Sequence, residues 1–250
     1  MVTTPGTEEY FYDAKGSKAI GVLLIHGFTG SPFSLRPVAD ALVDSDITVR
    51  VPLLPGHGTS WQEMNRSTWH QWLETVKTSY AELSASCDKV IALGISMGGG
   101  LALRMAIEHA DIAGVILINP AVMIKDPLLP LLPALRRVLP SVAAIGDDIK
   151  KPGVTEHAYP RTPLKAVHSM LELYRDTRQN LDKVTQPVLL FNSTIDHVVP
   201  RESTEIIWKK ISSHDKEKVM LRNSYHVATL DHDAPEIIQR SLKFVERLSR

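Results

Sequence analysis

The chain has 250 residues, 44% hydrophobic and 22% charged, a composition that suits one large α/β domain or two small ones. Its 28 basic and 28 acidic side chains cancel, so no bulk electrostatic pull toward nucleic acid or an anionic membrane is expected. The lone cysteine, Cys87, cannot form an internal disulfide, and no Cys/His cluster has the spacing of a zinc site.

From the N-terminus, Met1–Lys18 carries acidic and aromatic residues without the cationic-then-apolar order of a secretory signal. No apolar run approaches the ~18–20 residues of a membrane span, and a soluble, cytoplasmic protein is expected. The first strand is Ala19–Ile25, followed by the glycine-bearing turn His26-Gly27-Phe28-Thr29-Gly30. A helix over Leu35–Val43, a strand over Thr48–Pro52 and a helix over Thr68–Ser84 come next. The strand Lys89–Leu93 then runs through Gly94-Ile95-Ser96-Met97-Gly98 into a helix over Met97–His109, and Val115–Asn119 is the next strand. Eight of the 16 prolines fall between Pro120 and Pro163, which argues against sheet strands there. Residues 121–186 are therefore read as an inserted cap with one helix, Lys165–Leu181, over the C-terminal sheet edge where ligands of open α/β sheets bind. The strands Pro187–Phe191 and Lys218–Arg222 alternate with helices Glu202–Ile211 and Pro235–Leu248. Strands this apolar, alternating with helices, predict a mostly parallel sheet covered on both faces, in one α/β domain.

The chemistry starts at Ser96. A serine between two glycines at a strand-to-helix junction fits a sharp turn that exposes the hydroxyl, with small neighbours where strand and helix approach. Such a serine attacks a carbonyl when a histidine base, a carboxylate holding that base, and an oxyanion site lie nearby. In this architecture the chain order is Ser, acid, His, each on a loop after a strand. His226 follows the strand Lys218–Arg222 and fits, whereas His214 precedes a strand, His232 opens the last helix, and His197 needs an acid from elsewhere. Asp196 follows the strand Pro187–Phe191 and lies one strand-helix unit before His226; Asp176 and Asp182 fall in the cap and Asp215 precedes the wrong strand. Backbone N–H groups of Met97 and Phe28 are the expected oxyanion donors. His26 is expected to hold its turn rather than act as a base.

His26–Gly30, Leu54-Pro55-Gly56-His57-Gly58, Gly94–Gly99, Asp196-His197-Val198-Val199-Pro200 and Asn223–Leu230, in that order, resemble the bacterial monoacylglycerol lipases and related small carboxylesterases. These enzymes belong to the α/β-hydrolase superfamily, and the resemblance runs from about Ala19 to Leu248. It implies the α/β-hydrolase fold with a lid, Ser96 as nucleophile, His226 as base, Asp196 as acid, and Phe28 and Met97 as oxyanion donors. In the cap, Ile145-Gly146-Asp147-Asp148 and Glu156-His157-Ala158-Tyr159 are similar to the family pattern. There the resemblance implies that Ile145 narrows the pocket and Glu156 accepts hydrogen bonds from a glycerol head. The implied substrate is a small-molecule ester, the implied products glycerol and a fatty acid, and no metal or organic cofactor is needed. Ile95 stands where leucine is frequent, and Pro127–Pro140 matches the family least. The residues leave open a carboxylesterase without glycerol preference, a thioesterase or peptidase, and a binding protein that has lost catalysis. A haloalkane dehalogenase or epoxide hydrolase is not expected, because those chemistries use a carboxylate at the elbow where this chain has Ser96. The leucines of the cap, Leu131 and Leu132 among them, prompt a further expectation: an apolar face that touches micelles or membrane surfaces.

Overall fold

The computed structural model describes residues 6–16, 19–144 and 146–250. Its strands are β1 (Tyr10–Tyr12), β2 (Ile20–Ile25), β3 (Thr48–Val51), β4 (Lys89–Ile95), β5 (Gly114–Ile118), β6 (Ser141–Ala143), β7 (Arg161–Pro163), β8 (Val188–Ser193) and β9 (Lys216–Leu221). The helices are α1 (Arg36–Asp44), α2 (Trp61–Met64), α3 (Trp69–Ser86), α4 (Met97–Glu108), α5 (Leu132–Val138), α6 (Leu164–Gln179), α7 (Arg201–Lys210) and α8 (Ala234–Ser249). Among the described residues, seven strands form one sheet in the order β1-β3-β2-β4-β5-β8-β9, and β6 and β7 form a separate pair. Every neighbouring pair in the large sheet is parallel except β1 with β3.

Alternation along the central strands builds two cores. On one face Leu23 and Ile25 of β2, Val90 and Ala92 of β4, and Val115 and Leu117 of β5 pack under α3 and α4. On the other, Val22 and Leu24, Ile91 and Leu93, and Ile116 and Ile118 pack under α1 and α8. A strand buried on both faces has no polar side to show, which is why these segments read as continuous apolar runs. Because the sheet is parallel, the loops leaving β2, β4, β8 and β9 all emerge at one edge. Register brings them close: Ile25 pairs with Gly94, and Ser193 with Leu221.

One strand is added to the expected set and one expectation is corrected. The N-terminal segment supplies a short antiparallel edge strand, β1, which too few residues carry for period to reveal. The proline-rich stretch does contain strands: β6 and β7 pair with Ser141 opposite Pro163, so the proline sits at the end of a two-stranded edge where a missing donor costs little. The same stretch also holds α5, with Pro133 in its first turn, where a proline has no intrahelical hydrogen bond to lose.

Candidate active site

Ser96 links β4 to α4 with φ +55° and ψ −122°, a left-handed conformation that costs a non-glycine residue free energy. The surrounding main chain holds it there. Ser96 N–H donates to Ile118 O at 3.0 Å, and Ser96 O accepts from Gly99 N–H at 3.0 Å and Ala121 N–H at 3.0 Å. The flanking glycines are required by close backbone approach: a Cβ on Gly94 would overlap the Gly98 carbonyl, and one on Gly98 would overlap the Ile25 carbonyl. Gly27 of the loop after β2 faces the serine directly, since a Cβ there would sit 3.3 Å from Ser96 Cβ.

His226 and Asp196 meet across the ends of β9 and β8. His226 Nδ1 lies 2.8 Å from Asp196 Oδ2, with the two side chains 8% and 6% exposed. Asp196 Oδ1 accepts the backbone N–H groups of Val198 at 2.9 Å and Val199 at 2.8 Å, so its loop is folded around the carboxylate. Burial works against the imidazolium, but the hydrogen bond and charge of Asp196, helped by Glu156 and Asp148, hold the His226 pKa above its ordinary value. Burial likewise opposes the Asp196 carboxylate, and His226 with the two amides outweighs it, leaving the Asp196 pKa lowered. With Nδ1 engaged, Nε2 is the nitrogen free for the cavity that Ser96 also lines. The serine hydroxyl makes no hydrogen bond to the imidazole among the described residues.

The backbone N–H groups of Phe28 and Met97 have no hydrogen-bond partner among the described residues, and both residues flank Ser96. Met97 opens α4, so its N–H also carries the positive end of the helix dipole. Phe28 stands edge-on to Trp72 at 6.0 Å between ring centres and lines the cavity. The buried His26 is fully engaged: Nε2 accepts Leu54 N–H at 3.2 Å, so Nδ1 carries the proton toward Gly27 O at 2.9 Å. Burial lowers its pKa to about 4, and it is a neutral turn-holding residue. His197 is half exposed and bound to Asp148, and Asp176 and Asp215 pair with Arg104 and Arg247.

The cavity holds about 310 Å³ and is lined by Ser96 and His226 together with Leu132, Leu164, Val167 and Met170 of the 121–186 segment. Glu156 also borders it; burial raises its pKa despite the neighbouring His226 and the backbone hydrogen bond from Asp147. Ile145 lies outside the described residues. The broad groove between β9 and α8 holds none of these residues, and ion pairs such as Arg240–Glu217 and Arg247–Asp215 occupy it.

Three residues that sequence reasoning missed organise the site. Asp148, 9% exposed in its side chain, accepts His226 N–H and His197 N–H on Oδ2, both at 3.1 Å, and contacts His197 Nδ1 at 2.7 Å through Oδ1. Asp231, 3% exposed, returns the tie: it accepts Lys150 N–H at 2.7 Å and Lys151 N–H at 3.0 Å as well as Tyr225 N–H at 2.9 Å. Asn119, buried after β5 with φ +43°, donates to His226 O at 2.7 Å and accepts Ser193 N–H at 2.7 Å. The only signal for Asp148 was its place in the cap motif beside Ile145; for Asn119 it was a polar residue ending an apolar strand.

Comparison with known proteins agrees with this architecture. The Hydrolase_4 family model, described as serine aminopeptidase, S33, matches residues 16–233. A thermostable monoacylglycerol lipase from a Bacillus species is 45% identical over 238 residues, covering 94% of this chain and 93% of that protein. A carboxylesterase from Bacillus subtilis is 27% identical over 242 residues, 93% of this chain and 94% of its own. A solved structure from a report on two metagenome-derived lipolytic enzymes, LipS and LipT, superposes with a TM-score of 0.94. The enzyme in it is 38% identical, and the match covers 98% of this chain and 100% of that one.

Proposed function

The chain belongs to the Hydrolase_4 family and has the α/β-hydrolase fold, and from that premise we propose that it hydrolyses carboxylic esters, monoacylglycerols foremost, through an acyl-enzyme on Ser96. One observation carries the reading: the strained Ser96 and His226, the latter held by the buried Asp196, line a mainly apolar cavity that the carboxylate of Glu156 also borders. An acyl chain suits the apolar lining and a polyol suits the carboxylate. The names of the relatives, a monoacylglycerol lipase and a carboxylesterase, point the same way.

On this reading Ser96 Oγ attacks the ester carbonyl while His226 Nε2 takes its proton, and Asp196 holds the imidazole in the tautomer that leaves Nε2 free. The Phe28 and Met97 N–H groups receive the oxyanion, which strengthens as the tetrahedral intermediate forms. Collapse expels the alcohol with the proton from His226, and a water activated by the same nitrogen then releases the acid. Glu156 accepts hydrogen bonds from the glycerol hydroxyls, and residues 121–186 act as a cap over the acyl chain. The exposed Leu128, Leu131 and Val138 of that cap give it an apolar outer face for contact with lipid aggregates, and a cytoplasmic location belongs to the same proposal. Leu132 is not part of that face, because it points inward and is 5% exposed. Among the described residues no helix is long and apolar enough to cross a membrane.

Turnover of 1-monoacylglycerols of rising chain length beside matched ethyl esters tests the reading. A consistent advantage for the glycerol series supports it, and equal rates remove the glycerol preference. A fluorophosphonate that labels the native enzyme but not Ser96→Ala identifies the nucleophile; equal labelling of both removes Ser96 from that role.

A further inference from the structure

The α6 residues that line the cavity are Leu164, Val167, Met170 and Tyr174, spaced to share one helix face. Three are apolar. Tyr174 brings the one polar atom of that wall, and it is 2% exposed. A phenol this deeply buried normally finds a hydrogen-bond partner, because an unmet hydroxyl loses its solvation for nothing. Here the hydroxyl has no protein partner among the described residues, and it is not sealed in protein either: it meets the cavity. Burial alone raises its pKa, so the group is a neutral O–H able to donate or accept.

Its depth follows from the helix beneath it. The ring lies over Gly100, within 3.5 Å of where a Cβ on that glycine would sit, and a side chain there would also press on Ala121 O at 2.7 Å. Gly100 is four residues after Ser96 on α4, roughly 6 Å along the axis at 1.5 Å per residue. The Tyr174 ring thus packs on the first turn of α4, the helix that Ser96 precedes, and the residue lines the same cavity as Ser96. An all-methylene chain passing that point would leave the hydroxyl without a partner, whereas a chain bearing an oxygen there would satisfy it.

We propose that Tyr174 forms a polar subsite within the acyl channel and selects esters whose acyl chain carries a hydroxyl or keto oxygen several carbons from the carbonyl. The proposal rests on the ester-hydrolase reading and on Ser96 as nucleophile, but not on the glycerol preference.

The test uses p-nitrophenyl esters of one chain length, unsubstituted or hydroxylated at successive positions, with native protein and Tyr174→Phe. For each protein the kcat/KM of a hydroxylated ester is divided by that of the unsubstituted one. A neutral hydrogen bond predicts that, at one or two adjacent positions, the native ratio exceeds the Tyr174→Phe ratio by about 3- to 10-fold. Equal ratios at every position overturn the subsite, and would mean the phenol is met by water alone. If the native protein cleaves none of the esters, the hydrolase reading itself falls. Melting temperature is the control for the geometry: a hydroxyl with no protein partner can be removed without loss of Tm, and a fall of many degrees would reveal a protein partner and also overturn the proposal.

Discussion

Replacing Asp148 tests whether the segment after β5 positions the base. Asp148→Ala deletes an acceptor for two backbone N–H groups and the His197 ring, while the Val227 N–H to Asp148 O bond at 3.1 Å survives because it is main chain. The His226 amide is the costly one: its residue is 6% exposed, so losing the acceptor strands a buried donor, at about 1–3 kcal/mol. His197 is half exposed, and water replaces most of its loss. A net of about 2 kcal/mol corresponds to a Tm decrease of ~4–8 °C for a domain of this size. Freed from its anchor, the His226 loop shifts, and misplacement of a catalytic group by ~1 Å costs on the order of 100-fold, so kcat/KM should fall ~10- to 100-fold. Asp148→Asn separates charge from anchoring. Its amide oxygen keeps the two N–H bonds, but one of the negative charges that raise the His226 pKa is gone. The base must be neutral to act, so kcat/KM rises with pH through the His226 pKa; lowering that pKa moves the acidic limb to lower pH. Differential scanning fluorimetry and pH profiles of kcat/KM on a soluble ester measure both. An Asp148→Ala protein that loses Tm but keeps native kcat/KM, with an unmoved limb in Asp148→Asn, refutes the positioning role.

Other substitutions probe other parts of the site. Asp196→Asn leaves the Val198 and Val199 amides an acceptor but favours the wrong imidazole tautomer, so kcat should fall on the order of 10⁴-fold with the fold intact; a loss below tenfold would exclude Asp196 as the acid. Gly98→Ala drives a methyl group into the Ile25 carbonyl, which as main chain of a central strand cannot retreat, and soluble folded protein should be largely lost. Normal yield and Tm for that variant would contradict the elbow geometry. Changing Leu131 and Val138, which do not line the cavity, to serine should weaken co-sedimentation with lipid vesicles while leaving hydrolysis of a monomeric soluble ester near native; no binding by the native protein ends the lipid-contact idea.

The sheet was legible because its central strands are buried on both faces, which forces near-continuous apolar runs of the length the structure shows. Motif order then placed Ser96, Asp196 and His226, because a parallel sheet delivers the loop after each strand to the same edge. What stayed hidden follows from the kind of bond involved. Asp148, Asp231 and Asn119 each bond main chain far along the sequence, at separations of 49, 81 and 107 residues among others, and a backbone amide leaves no mark on the sequence to show which carboxylate it meets. Strand β1 has three residues and the β6–β7 pair is equally short, too little for a period of two to rise above chance. In the 121–186 segment the same leucine-rich composition supplies the outward Leu131 and the inward Leu132, and only the local helix phase of α5 separates them. On the proposed mechanism, the residues assigned to bond-breaking announce themselves by type and order, whereas those that line the cavity are distinguished only by which way a helix face turns.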